Sequence, residues 1–310
     1  MLLDKPLTAQ VVALTGATGF IGTILRKRLV EANLTVRALN RREDGPCDGV
    51  TWIKGSLEEP DSLERLVDGA GIVIHLAGAV RGSTPDQFNR INVDGSAHLM
   101  EAVRRIGAGR RFLLMSSLAA RHPELSWYAA SKREAEQAIQ QRAGDLPVTV
   151  FRPTAVYGPG DKEMRPLFQW LLRGWLLTLG EQSARLSFIH VEDLVRAVVA
   201  WVGASQVHSA TYELSDGHPG GYDWQSIAEI AKRVRQGPVR KVTVPAAVLE
   251  GMAQVNLSLS RLTRRAPMLT PAKVGELRHP DWSCSNAAVE QALGWHPNIL
   301  LEKALQERSF

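Results

Sequence analysis

The stretch Val11-Val12-Ala13-Leu14-Thr15-Gly16-Ala17-Thr18-Gly19-Phe20-Ile21-Gly22 decides the fold. A short apolar run leads into three glycines spaced GxxGxxG, and a helical pattern over 20–32 follows. Strand, glycine turn and helix in that order are the context that a phosphate-binding turn requires. Gly16 permits the tight turn, Gly19 lets the backbone approach a pyrophosphate, and Gly22 lets helix pack on strand. The helix N-terminus behind them offers N–H groups and positive dipole charge to an anion. Thr18, Phe20 and Ile21, set among the glycines, complete the predicted cofactor contact.

Outward from that turn, short apolar runs alternate with helical patterns. The predicted strands are 11–16, 34–40, 49–55, 71–78, 110–117 and 147–153, and the predicted helices 20–32, 61–68, 86–107 and 128–142. Strands this apolar are covered on both faces, and the alternation implies an α/β fold built on a doubly wound parallel sheet. After residue 153 the texture changes: Pro153, Gly158, Pro159 and Gly160 crowd together, and six of the eight tryptophans follow. The reading is a nucleotide-type unit over 1–153 and a smaller substrate-binding region over 154–310. Residues 187–202 are expected to return to the first unit.

Composition removes several classes of function. The 310 residues carry 37 Lys+Arg against 32 Asp+Glu, a net charge of +5, and 45% are apolar. Such a chain buries a sizeable core and is not disordered. Cys47 and Cys284 stand in unrelated contexts, so there is neither a disulfide framework nor a paired-cysteine metal motif. Asp4 and Pro6 interrupt any signal-peptide core, and no uninterrupted apolar run is long enough to span a bilayer. A cytoplasmic protein is expected. Basic residues fall in separate pairs (Arg104-Arg105, Arg110-Arg111, Arg264-Arg265) rather than a stripe, so nucleic acid is not an expected partner. Scattered histidines without partners at ligand spacing predict no metal site. His75, ending an apolar strand, reads as a satisfied core histidine.

The end of the second strand bears on the choice of dinucleotide. An unphosphorylated ribose wants a carboxylate about 20 residues past the first glycine. Asn40 stands near that place, flanked by Arg37, Arg41 and Arg42. Guanidinium groups grip a 2′-phosphate with charge-assisted bonds, so NADP(H) is favoured over NAD(H). Glu43 and Asp44, just beyond, weaken that preference.

Tyr128-Ala129-Ala130-Ser131-Lys132 sets a phenol and an ammonium four residues apart on one helix face. A free phenol titrates near pH 10, and a neighbouring cation is expected to lower that value toward useful acid–base chemistry. Ser116 and Ser117, at the carboxyl end of the preceding strand, offer a hydroxyl to hold a substrate oxygen.

Taken in order, these motifs resemble the extended short-chain dehydrogenases/reductases, the NAD-dependent epimerase/dehydratase superfamily. The glycine pattern, Leu76-Ala77-Gly78, Asn92-Val93, Ser116-Ser117, Tyr128/Lys132, Arg152-Pro153…Tyr157-Gly158-Pro159-Gly160 and Phe188-Ile189-His190-Val191-Glu192-Asp193 carry the resemblance over nearly the whole chain. It implies a Rossmann domain with a C-terminal substrate domain. It also implies Tyr128 as acid/base, Lys132 as the cation that tunes it and reaches the ribose, and Ser117 as the substrate-oxygen partner. Asn92 would belong to the proton-relay helix. Leu76, Ala77 and Gly78 would lie along the cofactor, Ser116 at its edge, and Pro153 and Val156 near the nicotinamide. Ser56-Leu57 replaces the family's usual Asp-Leu against the adenine, so that contact is weaker or differently made. A homodimer through the long helices is a further implication.

The substrate half is less explicit. Residues 245–269 are mostly apolar and end in a basic cluster, too interrupted to span a bilayer. A packed helix, a helix lying on a membrane and a pocket wall all remain open. This tail is similar to the 3β-hydroxysteroid dehydrogenase-like branch. Trp127, Trp170 and Trp175 are expected either to line an apolar pocket or to anchor the core. The expected activity is an NADP(H)-dependent oxidoreductase working on the carbonyl/alcohol pair of a small, fairly apolar substrate. A sugar-nucleotide epimerase or dehydratase and a non-catalytic dinucleotide sensor or assembly subunit are the alternatives. Against a dehydratase, Ser117 is followed by Leu118-Ala119-Ala120, with no carboxylate.

Overall fold

The computed structural model describes residues 10–42, 49–263 (side chains of 261–263 excepted), 267 and 269–310. Expectations about Asp4, Pro6, Glu43, Asp44, Cys47, Arg264 and Arg265 lie outside the described residues. The first half alternates as its apolar periodicity dictates: β1 (Val11–Thr15), α1 (Phe20–Glu31), β2 (Thr35–Asn40), β3 (Val50–Lys54), α2 (Pro60–Val67) and β4 (Ile72–His75). There follow α3 (Pro85–Asn89), α4 (Gly95–Ile106), β5 (Arg111–Met115), α5 (Trp127–Ala143) and β6 (Val148–Pro153). The single helix expected over 86–107 is divided by a π-helical turn at Arg90–Asp94. That turn carries Asn92, and wide turns of this kind commonly re-aim a side chain at a functional site.

The second half contributes β7 (Ala155–Tyr157), α6 (Arg165–Leu172), β8 (Trp175–Thr178), β9 (Phe188–His190), α7 (Val191–Gly203) and β10 (Ala210–Leu214). It ends with α8 (Trp224–Arg235), β11 (Arg240–Thr243), α9 (Ala246–Thr263), α10 (Pro271–Arg278), α11 (Ala287–Leu293) and α12 (Leu301–Glu307). Seven strands form one sheet in the order β10-β6-β5-β4-β1-β2-β3. Every pairing within it is parallel. This is the Rossmann arrangement, whose strand order reverses between β1 and β4 and opens a crevice at their carboxyl ends.

Each sheet face buries its own core. Leu25 and Leu29 of α1 pack with Leu194 and Val198 of α7 against Val12, Leu14 and Val36. Leu63 of α2, Leu99 of α4 and Ile139 of α5 cover the other face, over Ala13, Val73 and Leu114. The carboxylate of Asp193 on α7, fully buried, accepts from the amides of Asn298 and Ile299 and so ties down the C-terminal segment. His190 caps α7 through Nδ1 and reaches the Ser309 carbonyl through Nε2, a structural duty. Strand β10, not among the predicted strands, joins the main sheet beside β6. Its alternation is half-exposed and edge-like, too weak a signal to read in isolation. Among the described residues no helix is long and apolar enough to cross a membrane.

His75 is fully buried at the end of β4, with Nδ1 2.6 Å from Thr15 Oγ1 and Nε2 2.9 Å from Ser96 Oγ. Ser96 donates to the Asn92 carbonyl, so its oxygen accepts from Nε2–H and leaves Nδ1 to accept from Thr15. Burial, and secondarily the charge of Lys132, push the imidazole pKa down to about 3. The unfolded chain takes up a proton near pH 6.5 that the native state refuses, so His75 leaves stability untouched above that pH. Stability is lost as pH falls from about 6.5 toward 3, by about 2 kcal/mol at pH 5. Denaturant titrations at pH 7.5 and 5 are expected to show a loss that shrinks by that amount in His75→Gln; equal losses would refute it.

Candidate active site

The turn after β1 is pressed against the end of β4. Gly16 has φ of +72°, and a Cβ there would stand 2.7 Å from the Ala77 amide nitrogen. A Cβ at Gly22 would fall 2.1 Å from the Gly16 carbonyl oxygen, so only glycine lets α1 sit on the turn. Gly19 is the N-cap of α1 and supplies no side-chain cap. The N-terminal amides of α1 therefore face the crevice beside a floor without side chains, which suits a pyrophosphate. Thr18 and Gly19 are exposed, and Phe20 and Ile21 are partly buried. Phe20 closes one side, near Gly160 of the loop after β7.

The same floor continues along β4. Leu76 packs into the core, and the Ala77 amide donates to Thr15 Oγ1. A Cβ at Gly78 would lie 3.1 Å from Asn92 Oδ1 and 3.3 Å from Lys132 Nζ. These glycines and exposed amides fit a dinucleotide lying across the carboxyl edge of the sheet. Pro153 is buried at the end of β6, and Val156 packs against the core beneath. Between them the Thr154 hydroxyl is buried without a hydrogen-bond partner among the described residues. Sequence reading missed this group, since a lone threonine carries no pattern.

At the adenine end, Ser56 Oγ donates to Glu59 at 2.9 Å and Leu57 packs into the core beside Gly95. Asn40 is half-buried and receives the Gly55 amide on its carbonyl, while Arg41 and Arg42 are exposed just beyond β2. Arg37 departs from its expected place. Strand alternation puts it with Leu39 on the α2 side, where Nη1 donates to the carbonyls of Arg65 (3.0 Å), Leu66 (3.3 Å) and Asp68. Its charge caps the negative end of α2 rather than facing a ribose.

Tyr128 and Lys132 project from the first turns of α5, whose N-cap Ser126 accepts from the Ala129 amide. Ser117 stands near the Tyr128 phenol and favours its ionised form, and Phe88 meets that ring edge-on at 6.3 Å. Lys132 is buried, donates from Nζ to the Met115 carbonyl at 2.8 Å, and has its pKa lowered to about 8 by burial. Glu136, one turn further, partly opposes that fall. The expectation that Lys132 lowers the phenol pKa is not met. Burial dominates and drives Tyr128 up to about 12; Ser117 opposes the rise and Glu276 adds to it. Removing a phenolate from water costs more than Ser117 returns, so the phenol stays protonated near neutrality.

One further expectation is corrected. Successive strand residues face opposite ways, and Ser116 donates to buried Glu136 instead of facing the crevice. Glu136 also receives Arg152 through two bonds, of 2.9 and 2.6 Å, so this trio braces β5, β6 and α5 from behind. Asn92 is likewise occupied: Oδ1 accepts from the Ala79 amide (2.7 Å), and Nδ2 donates to the Ala79 carbonyl (3.1 Å) and Ser131 Oγ (2.8 Å). It positions the crevice wall and does not touch Tyr128.

Above Tyr128 a small cavity is walled by Val80, Phe88, Trp127, Pro267 and Ala272, with Arg81, Lys273 and Glu276 as its charged members. Trp127 thus lines the cavity. Trp170 and Trp175 do neither of the things expected of them, being 49% and 38% exposed. Lys273 on α10 stands 5.2 Å from the centre of the Tyr128 ring and pairs with buried Glu276, which also receives Ser126 Oγ. Neither residue's place beside Tyr128 was legible in the sequence, because α10 lies more than 140 positions from that tyrosine. Arg81 crosses to Glu163 at the other rim.

The chain is similar in sequence and in fold to known proteins. Residues 12–214 match the model of the NAD dependent epimerase/dehydratase family. The chain is 40% identical over 291 residues to the ceramide reductase of Caulobacter vibrioides, covering 91% of this chain and 89% of that protein. It is 26% identical to the 3 beta-hydroxysteroid dehydrogenase/Delta 5-->4-isomerase of Mycobacterium tuberculosis, covering 98% of this chain and 91% of that one. In fold it is similar to the UDP-glucuronic acid 4-epimerase of Bacillus cereus, solved with UDP-glucuronic acid and NAD. There the TM-score is 0.72 at 18% identity, covering 96% of this chain and 97% of that one. The chain belongs to the NAD dependent epimerase/dehydratase family and is an NAD(P)-dependent oxidoreductase of the extended short-chain dehydrogenase/reductase type.

Proposed function

We propose that this protein is an NADP(H)-dependent reductase of a carbonyl on an apolar, long-chain substrate of the ceramide class. The observation that carries the reading is the protonated Tyr128 phenol, with Ser117 beside it, beneath a cavity to which Val80, Phe88, Trp127, Pro267 and Ala272 contribute. The 40% identity to a ceramide reductase supports the lipid class. Absence of a carboxylate at Leu118-Ala119-Ala120 counts against a dehydratase. In this reading the segments after residue 153 that lie outside the main sheet form the substrate-binding region.

Gly16, Thr18, Gly19, Phe20, Ile21 and Gly22 would hold the pyrophosphate, and Ala77 and Gly78 the adjoining ribose. Ser56 and Leu57 would border the adenine, and Arg41 beside Asn40 would grip the 2′-phosphate. Pro153, Thr154 and Val156 would border the nicotinamide. When bound, NADPH supplies hydride to the carbonyl carbon. Ser117 holds the carbonyl oxygen, and Tyr128 gives it a proton as negative charge develops there. A phenol kept neutral by burial begins that step in the required state. Lys132, next to Gly78, is placed to bond a ribose hydroxyl and to stabilise the phenolate that remains once the proton has left.

Tyr128→Phe is expected to lower kcat for ceramide-type ketone reduction by at least about a hundredfold while NADPH binding, followed by fluorescence, stays unchanged. Turnover surviving the substitution would remove the catalytic assignment. Lys132 carries the cost of a buried cation in full below about pH 8, and that cost fades as pH rises toward 10.5. Lys132→Met is therefore expected to abolish turnover yet stabilise the cofactor-free protein at pH 7 by roughly 1–2 kcal/mol, net of the lost bond to Met115. A lower melting temperature than wild type would contradict this. Arg41→Ala is expected to weaken NADPH binding about tenfold and barely change NADH. Equal losses for both cofactors would remove the preference for the phosphorylated one.

A further inference from the structure

Large apolar side chains are not scattered over this surface. Of the twelve that stand exposed among the described residues, nine fall between Leu167 and Leu259. Four lie on α9: Val248, Met252, Val255 and Leu259, each 50–59% exposed. Spacings of four, three and four residues place them on one stripe, about 16 Å long. The helix packs through a different side, where Leu249 and Ala253 meet Val274, Leu179 and Val244. Glu250, Gln254 and Ser258 occupy a third, exposed side. One side of α9 is thus packed, one is polar and wet, and one is apolar and faces outward.

Further large apolar side chains stand exposed on the strand that leads into α9 and on its partner. β11 pairs in parallel with β8 so that Arg240 lies beside Trp175 and Val242 beside Leu177. All four are exposed, and the Arg240 guanidinium sits over the Trp175 ring at 5.5 Å. On α6, which packs on β8, Leu167 and Trp170 are each 49% exposed and one turn apart. Charge on these segments is one-sided. Residues 165–177 and 240–263 hold Arg165, Arg173, Arg240, Lys241 and Arg261 against Glu250 alone, and Arg264-Arg265 follow in the sequence.

We propose that this face docks on an anionic lipid bilayer, with α9 lying in the headgroup plane. An aliphatic stripe beside a wet polar side, exposed tryptophans and an excess of cations is the combination that seats a helix at a membrane interface. A second copy of the chain would set those cations against themselves, whereas anionic headgroups neutralise them. The face also adjoins the site. Ser260 of α9 stands 3.2 Å from Ser83 on the loop after β4, and Pro267, just past the helix, walls the cavity over Tyr128. Delivery of a lipid substrate by that route rests on the function proposed above; the docking does not.

The test is flotation of the full chain with phosphatidylcholine vesicles made with and without phosphatidylglycerol. Wild type is expected to float with the anionic vesicles at least about tenfold better than with the neutral ones. Val248→Asp/Met252→Asp/Val255→Asp is expected to lose most of that binding, and the milder triple substitution to Ser part of it, both with unchanged melting temperature and NADPH binding. Tyr128→Phe is expected to float like wild type, so failure of the catalytic reading leaves the docking result standing. The proposal is overturned if wild type ignores anionic vesicles or if the folded Asp variant floats equally well. It is also overturned if light scattering shows a dimer that the Asp variant splits without any change in flotation.

Discussion

A single line of hydrogen bonds crosses the core and holds the two halves of the site in register. It runs from the Ala77 amide to Thr15, on to His75 and Ser96, and ends at the Asn92 carbonyl. From Asn92 the side chain reaches Ala79 on one hand and Ser131 on the other. The glycine turn after β1, the end of β4 and the helix carrying Tyr128 are thereby referred to one another through groups shielded from water. Buried polar chains of this kind are costly when broken, because each orphaned group forfeits its hydration without compensation. The π-helical turn at Arg90–Asp94 follows from this need: it rotates Asn92 into reach of both Ala79 and Ser131.

Beside that line, burial of the titrating groups sets the proton chemistry of the site. Tyr128 is held neutral and Lys132 is left close to losing its charge, shifts that burial alone accounts for in sign. Glu136, neutralised by Arg152 and bonded by Ser116, stands one helical turn behind the lysine. It keeps the ammonium charged without entering the crevice. The site thus spends stability to hold a donor and a cation ready, a common bargain where function needs buried polar groups.

The substrate side is built by distant chain. Lys273 and Glu276 arrive on α10, and Pro267 from the segment before it, to roof a phenol that belongs to α5. The short span between Ser117 and Tyr128 folds into 3-10 turns at Leu118–Arg121 and Pro123–Leu125 and contributes mainly buried alanines and leucine, not a polar lid. The cavity over Tyr128 is thus roofed by the C-terminal elements.

Local pattern alone determined six of the seven strands of the Rossmann sheet, because strand hydrophobicity, helix period and glycine spacing are short-range properties that burial on two faces enforces residue by residue. The same holds for the glycine turn and for the Tyr128/Lys132 spacing, which any helix brings onto one face. Only the tertiary structure decided where charges went. Arg37 and Ser116 carry suitable chemistry, yet strand alternation turned one onto the carbonyl end of α2 and the other onto Glu136. The neutral state of Tyr128, the half-exposed Trp170 and Trp175 and the placement of Lys273 also depend on what packs across long separations. Desolvation and pairing are properties of the assembled surroundings, and a linear string carries no measure of them.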